Sequence, residues 1–135
     1  MSRGEPVGVV LVSHSEPVAR SVAEMAAGLA AGGATAPVAF AGGDGQGGFG
    51  TSSELILAAA CSVDRGAGIA VIADLGSAVL TVQALLDEDE LPDGTQLVDA
   101  PFVEGAVAAV VTASAGADLN AVAAAAQEAY AYRKL

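Results

Sequence analysis

The chain contains one histidine, His14, and one cysteine, Cys61, so few side chains are able to carry covalent chemistry. His14 lies in GVVLVSHSEPVARSV, where an apolar run stops at Ser13 and Ser15 follows the imidazole. A neutral imidazole is a nucleophile through one ring nitrogen when a partner holds the other in a fixed protonation state. Asp74 is the candidate partner, because it ends a second apolar run in IAVIADLGSA, where Gly76 and Ser77 follow it. The alternatives are a histidine without a role and a carboxylate that only caps a turn.

A third polar segment, GGDGQGGFGTSS, runs through Gly50 and Thr51. Amides near Gly50, Thr51 and Ser52, at a helix start, are placed to hold phosphoryl oxygens, although a glycine-rich surface loop explains the same composition. Other chemistries lack their parts. Ser13, Ser15 and Ser77 lie in no G-x-S-x-G elbow, the glycine loop has no P-loop lysine, and no G-x-G-x-x-G follows the first strand. No metal-binding cluster is expected, and a single cysteine makes neither an intramolecular disulfide nor a cysteine-based metal site. Phosphoryl transfer needs little beyond positioning and charge stabilisation, so a phosphohistidine carrier is the reading that uses the groups present.

The elements that must position these groups follow from periodicity. Residues 7–13 form a short apolar run rich in β-branched side chains, as in a strand covered on both faces. Val18, Val22, Met25 and Leu29 have helical spacing, with Ser15 or Glu16 as cap, Pro17 in the first turn and Gly32-Gly33 as the stop. Further strands are expected at 36–41, 68–73 and 96–99. Helices are expected at 54–63, around Val79 to Leu86, at 103–114 and at 118–132, with Cys61 a small buried hydrophobe in the second. The acidic run DEDE at 87–90 reads as a solvated turn.

Strands alternating with helices predict an α/β fold: an open, mainly parallel four-stranded sheet with helices on both faces. Ligand sites of such sheets gather beyond the carboxyl ends of the strands, which is where SHS, the glycine loop and DLGS all fall.

At 135 residues the chain is expected to be one domain, 1–135. Its 5 basic against 16 acidic side chains give a net charge of −11, which excludes the basic footprint of a nucleic-acid binder and favours a basic-faced protein partner. Mean hydropathy is +0.56, but this comes from alanine, valine and glycine, with no stretch long and apolar enough to span a membrane. Neither a secretory signal nor a disulfide framework is legible, and a cytoplasmic location is expected.

VLVSHS, the GT before the second helix, ADLGSA and APFVEGAVAAVVTASAGADL together closely resemble the phosphotransferase subunits of PTS-dependent dihydroxyacetone kinases. That family is similar in fold to the mannose-type enzyme IIA of the bacterial sugar phosphotransferase system. The resemblance implies that His14 takes a phosphoryl group, derived from phosphoenolpyruvate, from the carrier HPr. It further implies transfer to ADP held on the kinase's nucleotide-binding subunit, with dihydroxyacetone phosphorylated on a third subunit. Asp74 would orient His14, no bound cofactor is needed, and the protein would be a homodimer joined through its Ala-rich C-terminal helices or fourth-strand region. Some relatives carry HPr-like and enzyme I-like domains downstream, so here a separate carrier is expected. Two alternatives are a mannose-type enzyme IIA that hands phosphate to an enzyme IIB, and a non-catalytic regulatory module. A receiver domain is disfavoured because Ser13-His14 stands where its acidic pair belongs.

Overall fold

β1 (Gly8–Ser13) is buried at every position, as a strand covered on both faces must be, in the computed structural model of the protein, which describes residues 4–30 and 35–135. It is followed by α1 (Glu16–Leu29), β2 (Val38–Gly42), α2 (Ser53–Ser62), β3 (Ile69–Ala73), α3 (Gly76–Asp87), β4 (Thr95–Leu97), α4 (Phe102–Ser114) and α5 (Leu119–Glu128). A 3-10 turn at Ala129–Ala131 ends the ordered elements. The expected helix stop at Gly32-Gly33 lies outside the described residues.

The four strands are parallel in the order β2-β1-β3-β4. Alternate side chains of the central strands serve two cores. Val9, Leu11, Ala70 and Ile72 pack with α1, α4 and α5, while Val10, Val12, Val71 and Ala73 pack with α2 and α3. The chain leaves β1 toward β2 and then crosses back to β3, so the topological switch point lies between the carboxyl ends of β1 and β3. Pairing of Val12 with Ala73 in the β1–β3 register brings His14 and Asp74 to that point together.

Two expectations need correction, the burial of Cys61 and the bounds of the fourth strand. Of the helically spaced Val18, Val22, Met25 and Leu29, Val22 is buried and the other three are 45%, 43% and 62% exposed, while α1 also buries Ala19, Ala23 and Ala26. The buried face is turned by roughly 90° from those three exposed side chains. Small residues go inward because α1 packs against α4, whose own buried face is Gly105, Ala106, Ala109, Val110 and Ala113. Cys61 is exposed rather than buried. On α2 the inward face is Ile56, Ala59 and Ala60, and one further residue turns about 100° away from Ala60. The fourth strand is Thr95–Leu97, earlier and shorter than expected, although the Val98 amide still donates to the Val71 carbonyl at 2.8 Å.

Candidate active site

β1 ends in Ser13, the one buried polar side chain among the described residues, at 1% exposure. Its hydroxyl donates to Asp74 Oδ2 at 2.8 Å and accepts the Ser15 amide at 3.1 Å. Ser15 is the N-cap of α1, accepting the Val18 amide at 3.4 Å, with Pro17 in the first turn. His14 is therefore held between a strand end and a helix start, each anchored by a serine.

Asp74 closes the site from β3. Its Oδ2 also accepts the His14 amide at 3.1 Å, and its Oδ1 accepts the Leu75 amide at 2.7 Å. Oδ1 lies 2.9 Å from His14 Nδ1. A carboxylate only accepts, so this contact assigns the ring proton to Nδ1 and leaves the Nε2 lone pair free. Burial pushes the Asp74 carboxyl upward, but the hydrogen bonds from the His14 ring, the His14 amide, Ser13 and Leu75 outweigh it and hold the group below its usual value of 3.8. Asp74 thus stays an anion beside a ring able to become a cation.

Nε2 faces the Ser77 hydroxyl, in hydrogen-bond contact, at the first turn of α3. The N-cap of this helix is Leu75, which makes no side-chain cap, in contrast to Ser15 on α1, Ser52 on α2 and Asp118 on α5. Among the described residues the amides of Gly76 and Ser77 form no hydrogen bond. The free imidazole nitrogen therefore looks onto an uncapped helix N-terminus, the backbone arrangement that binds anions.

The glycine loop is built inward. Asp44 Oδ1 accepts the Gln46 and Gly48 amides at 2.7 and 3.0 Å, and the Asp44 amide donates to the Gly48 carbonyl at 3.1 Å. Those two backbone amides lower the Asp44 pKa. The loop is pinned to the site at both ends: the Gly43 amide donates to the Ser13 carbonyl at 3.1 Å and the Gly50 amide to the His14 carbonyl at 3.0 Å. Gly42 is required by close approach, since a Cβ there would lie 2.5 Å from Glu16 Cα.

His14, Asp74, Ser13, Ser15, Gly50, Gly76 and Ser77 are therefore brought together. Gly50 supports from behind, because its amide is committed to the His14 backbone and does not face the ring nitrogen. Thr51 bonds to Thr81, with 3.1 Å between hydroxyl oxygens, and the Ser52 hydroxyl caps α2. Of the amides near the ring, that of Gly50 is spent on the His14 carbonyl, whereas those of Gly76 and Ser77 at the start of α3 are unspent among the described residues. Thr81 was missed; the available signal was a hydroxyl residue one helical turn after Ser77 in an otherwise apolar stretch. Among the described residues no group of three or more His, Cys, Asp or Glu side chains is arranged to hold a metal ion. No described helix is long and apolar enough to cross a membrane.

Comparison with known proteins identifies the family and the fold. Residues 8–123 match the EIIA-man family, described as the PTS system fructose IIA component. A Listeria innocua protein, "PEP-dependent dihydroxyacetone kinase 2, phosphoryl donor subunit DhaM", is 34% identical over 107 residues, 78% of this chain and 84% of the relative. The Escherichia coli phosphoryl donor subunit DhaM of PEP-dependent dihydroxyacetone kinase is 34% identical over 120 residues; the match takes in 86% of this chain but 25% of that protein. A crystal structure of a protein of unknown function superposes with a TM-score of 0.76 at 32% identity, covering 91% of this chain and 94% of the other. A sigma-54 interaction domain protein from Enterococcus faecalis gives a TM-score of 0.67 at 17% identity, covering 95% and 93%, a likeness of fold alone.

Proposed function

This chain belongs to the EIIA-man family, and from that premise we propose that it is a phosphohistidine carrier, the phosphoryl donor subunit of a phosphoenolpyruvate-dependent dihydroxyacetone kinase. One observation carries the reading: Asp74 engages Nδ1 of His14 while Nε2 faces the uncapped start of α3. In the proposed reaction Nε2 attacks the phosphorus of phospho-HPr. The bond from phosphorus to the carrier breaks as the bond to Nε2 forms. The ring keeps its Nδ1 proton throughout and becomes cationic, and the Asp74 anion stabilises that charge.

A phosphoryl group on Nε2 displaces the Ser77 hydroxyl from the nitrogen and receives hydrogen bonds from it and from the Gly76 and Ser77 amides. In the second transfer a β-phosphate oxygen of ADP, held on the kinase's nucleotide-binding subunit, attacks phosphorus. The electron pair of the broken P–N bond returns to Nε2. Supporting a kinase as the destination of the phosphoryl group are the names of the Listeria and Escherichia relatives, both phosphoryl donor subunits of PEP-dependent dihydroxyacetone kinases. The partners in this reading are HPr and the nucleotide- and dihydroxyacetone-binding subunits, in the cytoplasm, with the carrier itself a homodimer.

The family's description as a sugar-system IIA component favours a second reading, in which the acceptor is an enzyme IIB. Protein charged with phosphoenolpyruvate, enzyme I and HPr is mixed with the ADP-loaded kinase subunits and dihydroxyacetone, or with an enzyme IIB. The first reading expects dihydroxyacetone phosphate. Charging of the enzyme IIB with the kinase's ADP left untouched would overturn it.

A further inference from the structure

The Thr81 hydroxyl donates to the Ser77 carbonyl at 3.0 Å. With its proton committed there, Thr81 Oγ1 is the acceptor in the 3.1 Å contact with Thr51, so the Thr51 hydroxyl is the donor. Thr51 directly follows Gly50, whose amide holds the His14 carbonyl, and Ser77 faces the His14 ring. The contacts close a circuit from the His14 backbone through Gly50, Thr51, Thr81 and Ser77 to the His14 imidazole. Among the described residues the Thr51–Thr81 contact is the one hydrogen bond that joins the glycine loop and α2 to α3.

We infer that the Thr51–Thr81 hydroxyl pair is a positioning device for phosphoryl transfer, fixing the first turn of α3 against the end of the glycine loop so that Ser77 and its neighbouring amides stay aimed at His14 Nε2. The inference rests on the phosphohistidine reading. Entry of a phosphoryl group requires Ser77 to swing its hydroxyl away from Nε2 while the helix backbone stays in place. That backbone has no side-chain cap of its own, because Leu75 occupies the N-cap. Rotation of Ser77 leaves its carbonyl, and hence the clamp, undisturbed. Small errors in the aim of oriented groups are costly to transfer, whereas binding of the donor protein across the outer surface does not sense them.

The test is single-turnover phosphorylation of His14 by phospho-HPr, followed as a function of donor concentration. Thr51→Val removes the donated bond with little change of volume, and is expected to slow transfer at saturating donor by about 3- to 10-fold, the scale of one neutral hydrogen bond. Half-saturation is expected to stay unchanged. Thr51→Ser, which keeps the hydroxyl, is expected to restore the rate. In a Thr81→Val background Thr51→Val is expected to add no further slowing, since the bond is already gone. A wild-type rate in Thr51→Val, a Thr51→Ser variant equally slow, or multiplicative slowing in the double variant would each overturn the clamp. His14→Ala keeps the two readings apart. Label persisting there defeats the phosphohistidine reading and the clamp with it, whereas label lost there with a wild-type rate in Thr51→Val defeats the clamp alone.

Discussion

Replacing Asp74 by Asn keeps the shape of the side chain and removes its charge. The carboxylate receives four hydrogen bonds, from Ser13 Oγ, the His14 amide, His14 Nδ1 and the Leu75 amide. An asparagine offers one oxygen and one NH2, and the two backbone donors cannot turn around. With the NH2 at the Oδ2 position the His14 amide loses its acceptor. With the NH2 at the Oδ1 position the Leu75 amide loses its acceptor, and the ring proton is driven to Nε2, where it blocks the nucleophile. Either orientation also withdraws the anion from a ring that becomes cationic in transfer. His14 and Asp74 side chains are 21% and 17% exposed, and at their 2.9 Å contact an effective dielectric of roughly 20 to 80 gives an attraction of about 1.4 to 6 kcal/mol. A middle value of about 3 kcal/mol corresponds to an approximately 100-fold slower transfer. Rapid-quench measurement of His14 phosphorylation checks this, with thermal unfolding as control, because the lost bonds are expected to cost about 1.5–3 kcal/mol, within the stability of a domain this size. Transfer by Asp74→Asn within about threefold of wild type would refute the orienting and charge-stabilising roles together.

Gly42→Ala is expected to be destabilising by about 2–3 kcal/mol, because its Cβ would meet backbone atoms of Ser15 and Glu16, at 2.8 and 2.5 Å, that cannot move aside without shifting the start of α1. An unchanged melting temperature would show that this approach is relaxed in solution. Asp74 also gives stability a definite pH dependence: its folded pKa lies below 3.8, so its contribution is complete above that pH and is lost as the pH falls through the lower folded value. Acid unfolding of wild type is therefore expected to be steeper below pH 3.8 than that of Asp74→Asn, and parallel curves would contradict it. Phe49, 86% exposed beside Gly50 and the His14 backbone, is expected to contact the docking phosphoryl donor. Phe49→Ser should raise the half-saturating donor concentration about tenfold while stability stays within about 0.5 kcal/mol; an unchanged concentration dependence would place docking elsewhere.

Alternation of apolar strands with helical spacing was enough to read the sheet and its direction, because buried parallel strands need continuous apolar runs that few other elements share. The same logic places His14, Asp74 and the glycine loop at one edge of the sheet. It does not identify the buried face of α1, where only Val22 of the helically spaced Val18, Val22, Met25 and Leu29 is buried. In an alanine-rich helix the close approach of α4 decides which side is buried, and that is a tertiary fact. Cys61 was misread for a related reason, since burial on α2 turns on a single 100° step. Within the site, His14, Asp74, Ser13, Ser15, Gly50, Gly76 and Ser77 do meet, whereas Thr51 bonds to Thr81 and Ser52 caps α2. Their division of labour was not legible: whether an amide is left open beside the imidazole or is spent on a carbonyl depends on loop geometry that glycine content does not encode. Thr81 became visible only once Ser77 was seen to face Nε2.

The most direct test of the central claim is the position of the phosphoryl group itself. Protein labelled with 15N-histidine and charged from phosphoenolpyruvate through enzyme I and HPr is read by 15N and 31P NMR. With a single histidine the spectrum has one ring to assign. The expected result is phosphorus bonded to Nε2 of His14, a proton retained on Nδ1, and an acid-labile adduct that is lost in His14→Ala. Phosphorus on Nδ1, or an adduct undiminished in His14→Ala, would contradict it.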